Sequence, residues 1–219
     1  MTTAPAVLLM FVPLAYLAGS VPFGLIVGLA NGVDPRKAGS GNIGATNLGR
    51  LLGGKFFALV FVLDMLKGLI PTLAAGAVLH FNAMDAIEYA LWLSVGFAAI
   101  VGHMCSVFLG FKGGKGVATS AGVILGVFPY YTIAAVVALL TFAVVFKLTR
   151  YVSVGSILAA SVFTVVYLFV GLARRWDIFG RQLPLLLFAV LVTAMIIFKH
   201  RANLVRLRAG TELRFGAKA

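Results

Sequence analysis

The sequence predicts an all-α integral membrane protein with seven transmembrane helices, two of them short, joined by glycine-rich loops on the cytoplasmic side. Three observations predict it. Hydrophobic residues fill 62% of the 219 positions and mean hydropathy is +1.08, with apolar runs too long for helices in a soluble core of this size. The basic residues gather between those runs, giving a formal charge of +12 from 18 lysines and arginines against 6 acidic residues. Two of the connecting stretches combine glycine with lysine or with small polar side chains.

Apolar runs cover about residues 5–30, 55–80, 87–109, 117–146, 152–172 and 183–199, each compatible with the roughly 20 residues a crossing needs. The first has no basic segment before its apolar stretch, so it reads as a retained span and not a cleaved leader. In the second, Asp64 and Lys67 are three apart on one helical face. Charges at membrane depth are expensive, so the pair reads as a structural ion pair facing neighbouring helices. The fourth run contains Phe128-Pro129-Tyr130. Proline removes a backbone donor and disfavours helix just before it, so two short helices can replace one long one.

Charge decides between these. With seven crossings, the basic loops at 36–55, 112–115, 147–150 and 199–218 share one side, which then carries 14 of the 18 basic residues. Six crossings would part these clusters, so the positive-inside rule favours seven, with the N-terminus outside and the tail in the cytoplasm. No second domain or internal repeat is visible, and residues 1–219 read as a single transmembrane domain. The basic surplus is what insertion selects, which argues against a nucleic-acid partner. Cys105 is the lone cysteine, and His80, His103 and His200 are widely scattered, so neither a disulfide framework nor a metal site is expected.

Three polar clusters fall on the same side. Gly110-Phe111-Lys112-Gly113-Gly114-Lys115-Gly116-Val117-Ala118-Thr119 combines unobstructed backbone N–H groups with two lysines, which favours an anion such as phosphate. Gly39-Ser40-Gly41-Asn42-Ile43-Gly44-Ala45-Thr46-Asn47-Leu48-Gly49-Arg50 offers hydroxyls, amides and one arginine. If a helix starts near Ala45, Thr46, Asn47 and Arg50 share a face, and a guanidinium suits phosphate by bidentate bonding. The last span emerges at Lys199-His200-Arg201-Ala202-Asn203, where His200 and Asn203 point the same way on a continuing helix.

Other matches are set aside. Gly39-x-Gly41-x-x-Gly44 follows a membrane helix where a dinucleotide fingerprint needs a strand, and Gly49 to Lys55 meets Phe56 where a P-loop needs a hydroxyl. His80-x4-Asp85 matches an acyltransferase His–Asp signature but falls in the predicted outer loop, away from the cationic clusters.

Ser40 to Asn47, His103 through Gly113-Gly114-Lys115-Gly116-Val117-Ala118-Thr119, and His200-Arg201-x-Asn203-x-x-Arg206-Leu207-x-x-Gly210-Thr211-Glu212 resemble, in order, the three motifs of the bacterial acyl-phosphate:glycerol-3-phosphate acyltransferases, the PlsY family. Arg214 stands where that pattern expects lysine, and the charge is kept. The resemblance implies seven transmembrane helices in the bacterial inner membrane. It also implies transfer of a fatty acyl group from acyl phosphate to the sn-1 hydroxyl of glycerol 3-phosphate, giving lysophosphatidic acid and inorganic phosphate. It assigns Ser40, Arg50, Lys115, His200 and Asn203 to the catalytic, substrate-holding set, makes the second motif's glycines the phosphate loop, and gives Glu212 a mainly structural role. Gly41, Asn42, Thr46, Asn47, Lys112, Gly113, Gly114, Gly116 and Thr119 complete the expected substrate- and phosphate-binding set.

Acyl phosphate is a mixed anhydride with a good leaving group, so no cofactor, ATP or coenzyme A is expected. The protein must hold two mutually repelling anions together and stabilise charge on the departing phosphate. No Ser–His–Asp constellation is visible, so direct transfer is expected, the hydroxyl proton passing to His200 or, as the resemblance favours, to a substrate phosphate oxygen. The expected partners are the two substrates and membrane lipid, with the protein a monomer. The competing class is an organic-phosphate transporter, which would need polar access from both faces.

Overall fold

The computed structural model describes residues 4–79 and 84–216. Among these residues every regular element is helical, apart from an isolated bridge between Ser106 and Lys112. The order is α1 (Ala4–Ser20), α2 (Phe23–Ala30), α3 (Ala45–Leu52), α4 (Gly54–Val78), α5 (Ala86–Met104), a 3-10 turn (Val107–Leu109), α6 (Val117–Gly126), α7 (Thr132–Thr149), α8 (Val152–Ala173), α9 (Leu183–Lys199) and α10 (Arg201–Arg208).

Counting α1 with α2 as one run, five helices are long and apolar enough to cross a membrane, and a sixth if α9 and α10, bent by 51°, are one broken span. Large side chains such as Met10, Ile70, Leu140, Leu148, Phe169 and Leu187 are exposed on the flanks, which suits lipid and not water. The chain is a multi-pass membrane protein. Only one of the two expected short helices is short. α6 has 10 residues, or about 15 Å, half the hydrocarbon thickness, whereas α7 restarts at Thr132 and runs on to 18 residues. The run expected to reach 109 leaves its helix at Met104. There Tyr16 Oη donates to the Cys105 carbonyl at 2.9 Å and Ser106 Oγ donates to the Ser20 carbonyl at 2.6 Å, turning the chain into the glycine-rich loop.

The core runs through α1, α4, α5, α6, α7, α8 and α9. α6 lies so close to α4 that a Cβ on Gly122 would stand 1.9 Å from the Met65 carbonyl oxygen, which explains glycine there. Polar core groups find partners across helices: Trp92 Nε1 donates to the Thr72 carbonyl at 2.7 Å, and Tyr131 Oη to that of Leu185. Asp85, the described half of the His-x4-Asp match, caps α5 in a capping box with Glu88; His80 lies outside the described residues.

Candidate active site

α3, the loop before α6, the start of α8, the α9–α10 junction and the tail segment around Glu212 surround one cavity. Its polar wall includes Ser40, Asn42, Thr46, Arg50, Lys115, Gly116, His200, Asn203, Arg206 and Glu212. It continues along an apolar wall that includes Phe57, Phe61, Ile124, Leu125, Leu139, Phe142 and Phe163. Three stretches far apart in the sequence thus meet at one polar mouth with a lipid-like extension.

Glu212 organises that mouth. It accepts from Asn203 Nδ2 at 2.6 Å, Arg206 Nε at 2.7 Å and Ser153 Oγ at 3.2 Å, joining the tail to α10 and α8. Asn203 Oδ1 in turn accepts from Lys115 Nζ. Burial pushes the Glu212 carboxyl up, but hydrogen bonds from Asn203 and Arg206, the Arg206 charge and the Ser153 bond hold it below the usual carboxylate range. It is therefore ionised at neutral pH.

Arg50 Nη2 donates to the Leu213 carbonyl at 2.7 Å, while its Nε is buried with no protein partner, a donor that an anion would satisfy. Phe215 anchors this tail. Its N–H donates to the Arg150 carbonyl at 2.8 Å and its ring meets Phe57 and Phe146 edge-on at 5.3 and 5.5 Å. Arg214, the departure from the family pattern, is exposed and donates to Tyr151 Oη at 3.3 Å, away from the cavity.

Lys115 sits just ahead of α6, whose first residues Val117 and Ala118 also line the cavity, so free helix N–H groups and an ammonium face the same space. Burial lowers the Lys115 amine to about 8; the Glu212 charge opposes the drop, and Arg206 and Arg50 add to it. The ammonium is present below that pH and is lost above it. The KM for a phosphate substrate is therefore expected to rise as pH passes upward through about 8, and a steady-state pH series checks this. His200 Nδ1 lies 2.8 Å from the Ile196 carbonyl. A carbonyl can only accept, so Nδ1 carries a proton, and Nε2 keeps a lone pair whenever the ring is neutral.

Several expected ligands are placed elsewhere. Gly41, Lys112, Gly113, Gly114 and Thr119 do not line the cavity. Lys112 is exposed and its backbone is tied to Ser106. Thr119 is fully buried against α4, its carbonyl 2.4 Å from where a Gly68 Cβ would stand, and the next residue, Ser120, faces the cavity. Asn47 borders the cavity, but its amide is used within the loop: Nδ2 donates to the carbonyls of Pro35, Ala38 and Asn42, and Oδ1 accepts from the Ser40 N–H. Asp64 and Lys67 form the expected ion pair at 2.8 Å, yet Asp64 also borders the cavity, together with His103. His103, Ser120, Ser153, Ser156 and Arg206 also line the cavity, though none is among the expected site residues. Ser153 and Ser156, one turn apart in an apolar helix, were the signal that could have been used.

The family model described as glycerol-3-phosphate acyltransferase matches residues 9–210. A protein of that name from Trichlorobacter lovleyi is 45% identical over 203 residues, covering 93% of this chain and 95% of its own. One from Aquifex aeolicus is 44% identical over 210 residues, covering 94% and 98%. A crystal structure of PlsY (YgiH), an integral membrane glycerol 3-phosphate acyltransferase in its glycerol 3-phosphate form, superposes with a TM-score of 0.82 at 42% identity, covering 95% and 96%. Its lysophosphatidic acid form gives 0.79 at 41%, with 95% of each chain covered. With the motifs, the cavity and the matched length all in agreement, the chain belongs to the glycerol-3-phosphate acyltransferase family.

Proposed function

We propose that the protein transfers a fatty acyl group from acyl phosphate to the sn-1 hydroxyl of glycerol 3-phosphate, releasing lysophosphatidic acid and inorganic phosphate. The observation that carries this reading is the single cavity that joins Lys115, Arg50, His200 and Asn203 to an apolar wall. The cationic mouth suits two phosphate groups, and the apolar wall suits the acyl chain. The hydroxyl oxygen attacks the acyl carbonyl carbon, the new ester bond forms, and the bond from that carbon to the bridging phosphate oxygen breaks. The departing phosphate keeps the electron pair, and Lys115, Arg50 and the N-terminus of α6 stabilise its charge. His200 Nε2 or a phosphate oxygen receives the hydroxyl proton. Ser40, Asn42, Thr46 and Gly116 complete the substrate-binding set in this reading.

The chain forms one transmembrane unit over 1–219 and acts as a monomer in the bacterial inner membrane. Seven crossings, with α1 and α2 as one and α6 as a short one covered by α4, put the N-terminus outside and the site and tail in the cytoplasm. The convergence of the basic segments around 36–55, 115 and 200–212 on one cavity supports that sidedness.

The test is turnover in detergent. The purified protein should convert acyl phosphate and glycerol 3-phosphate to lysophosphatidic acid and phosphate in equal amounts, without coenzyme A. Absence of product, or a requirement for acyl-coenzyme A, would refute the donor. A rapid quench with labelled acyl phosphate should leave no label on protein; stoichiometric labelling of Ser40 would reject direct transfer.

A further inference from the structure

His103 is a buried ionisable side chain that the proposed chemistry leaves unused. It lies in the last turn of α5 and is 5% exposed. Its Nδ1 faces Asp64 Oδ1 at 3.6 Å, and Asp64 is held by Lys67 Nζ at 2.8 Å. Lys67 also donates to the Val21 carbonyl at 2.9 Å, so the group is braced by α4 and by the break between α1 and α2.

The other edge of the ring lies on the glycine-rich loop. A Cβ on Gly114 would stand 2.2 Å from His103 Nε2. His103 also borders the cavity, and the close approach of its Nε2 edge to the Gly114 backbone gives the ring a positional part in the site. The backbone contact is as close: the Gly114 N–H donates to the His103 carbonyl at 3.1 Å, and a Cβ on Gly113 would stand 2.2 Å from that oxygen. The two residues before Lys115 are thus glycine because they rest on His103, one on its backbone and one on its ring. Neither lines the cavity.

We infer that His103, oriented by Asp64, is a positioning residue for acyl transfer. It sets the height of the Gly113–Gly114 segment and thereby places the Lys115 ammonium in the phosphate site. The inference rests on the reading of Lys115 as a phosphate ligand. A displacement on the order of 1 Å can cost about 10²-fold in rate.

The test is a comparison of substitutions in the full-length protein in detergent, following kcat, KM and the rise in melting temperature produced by inorganic phosphate. His103→Ala is expected to raise KM for a phosphate substrate about tenfold or more and to abolish the phosphate-induced rise, while the ligand-free melting temperature stays within a few degrees of native. Gly114→Ala should impair the native protein but add no further loss to His103→Ala, because the ring it strikes is gone. Gly113→Ala should cost the same factor in both backgrounds, because it strikes a backbone carbonyl that no side-chain change removes. If His103→Ala fails to purify, His103→Asn, which keeps a polar edge toward Asp64, serves for the same comparison.

An equal cost of Gly114→Ala in both backgrounds would overturn the inference, as would native KM and a native phosphate response in His103→Ala. Lys115→Ala is measured alongside: if that variant keeps native KM, the phosphate-site reading fails and the inference falls with it, whereas its failure combined with an additive Gly114 cost rejects the positioning role alone.

Discussion

Replacing Lys115 by alanine is expected to cut acyl transfer by about 10²- to 10³-fold, the scale on which one aimed electrostatic donor contributes to a charge-developing transition state. The protein should still insert, purify and melt near the native temperature, because the lost side chain is a half-buried cation that donates to Asn203 Oδ1. Lys115 is the loop's only side-chain cation at the cavity; Lys112 three residues earlier is exposed and does not line it. Arg50→Ala should act the same way, since its buried Nε has no protein partner and its Nη2 is tethered to the Leu213 carbonyl. Measurement of kcat/KM for both substrates checks these outcomes, and near-native turnover in either variant would refute the pocket.

Glu212→Ala is expected to damage stability as well as activity. The carboxylate is 8% exposed and accepts from Asn203, Arg206 and Ser153. Its removal leaves a guanidinium, an amide and a hydroxyl short of an acceptor, at a cost of about 2–4 kcal/mol. Because Asn203 also receives the Lys115 bond, the loss spreads to the catalytic cation. Glu212→Gln should be intermediate: one oxygen can still accept from Asn203 and Ser153, while the amide nitrogen opposes Arg206. Thermal melting in detergent, run beside the transfer assay, checks both effects. Native melting with lost activity would mean that Glu212 acts in the chemistry and not in the scaffold.

Much of the arrangement was legible in the sequence, for physical reasons that also mark where legibility ended. The apolar runs located α4, α8 and α9 within about two residues, because lipid demands continuous apolar helix. The α5 run misled at its end, since Cys105, Val107, Phe108 and Leu109 are apolar but belong to the turn that Ser20 and Tyr16 hold. The break expected at Phe128-Pro129-Tyr130 separates α6 from α7, but the length of α7 depends on a restart at Thr132 that no residue type announces. The three basic stretches, expected on one side from their charge, line one cavity. Side-chain direction did not: whether Thr119 or Ser120 meets the cavity depends on the phase of α6 against α4, which Gly68 and Gly122 fix by close approach. Asn47 looked like a ligand because its amide can bind anything, and only the fold shows it spent on Pro35, Ala38 and Asn42.

The central claim is that one cavity holds both phosphate-bearing reactants with the hydroxyl beside the acyl carbonyl. A structure of the protein with glycerol 3-phosphate and a non-hydrolysable acyl phosphonate tests it most directly. Both phosphorus atoms are expected in the mouth bounded by Ser40, Arg50, Lys115 and His200, with the acyl chain along Phe61, Leu125 and Phe142. Room for only one of the two anions, or a phosphonate bound away from Lys115, would contradict it.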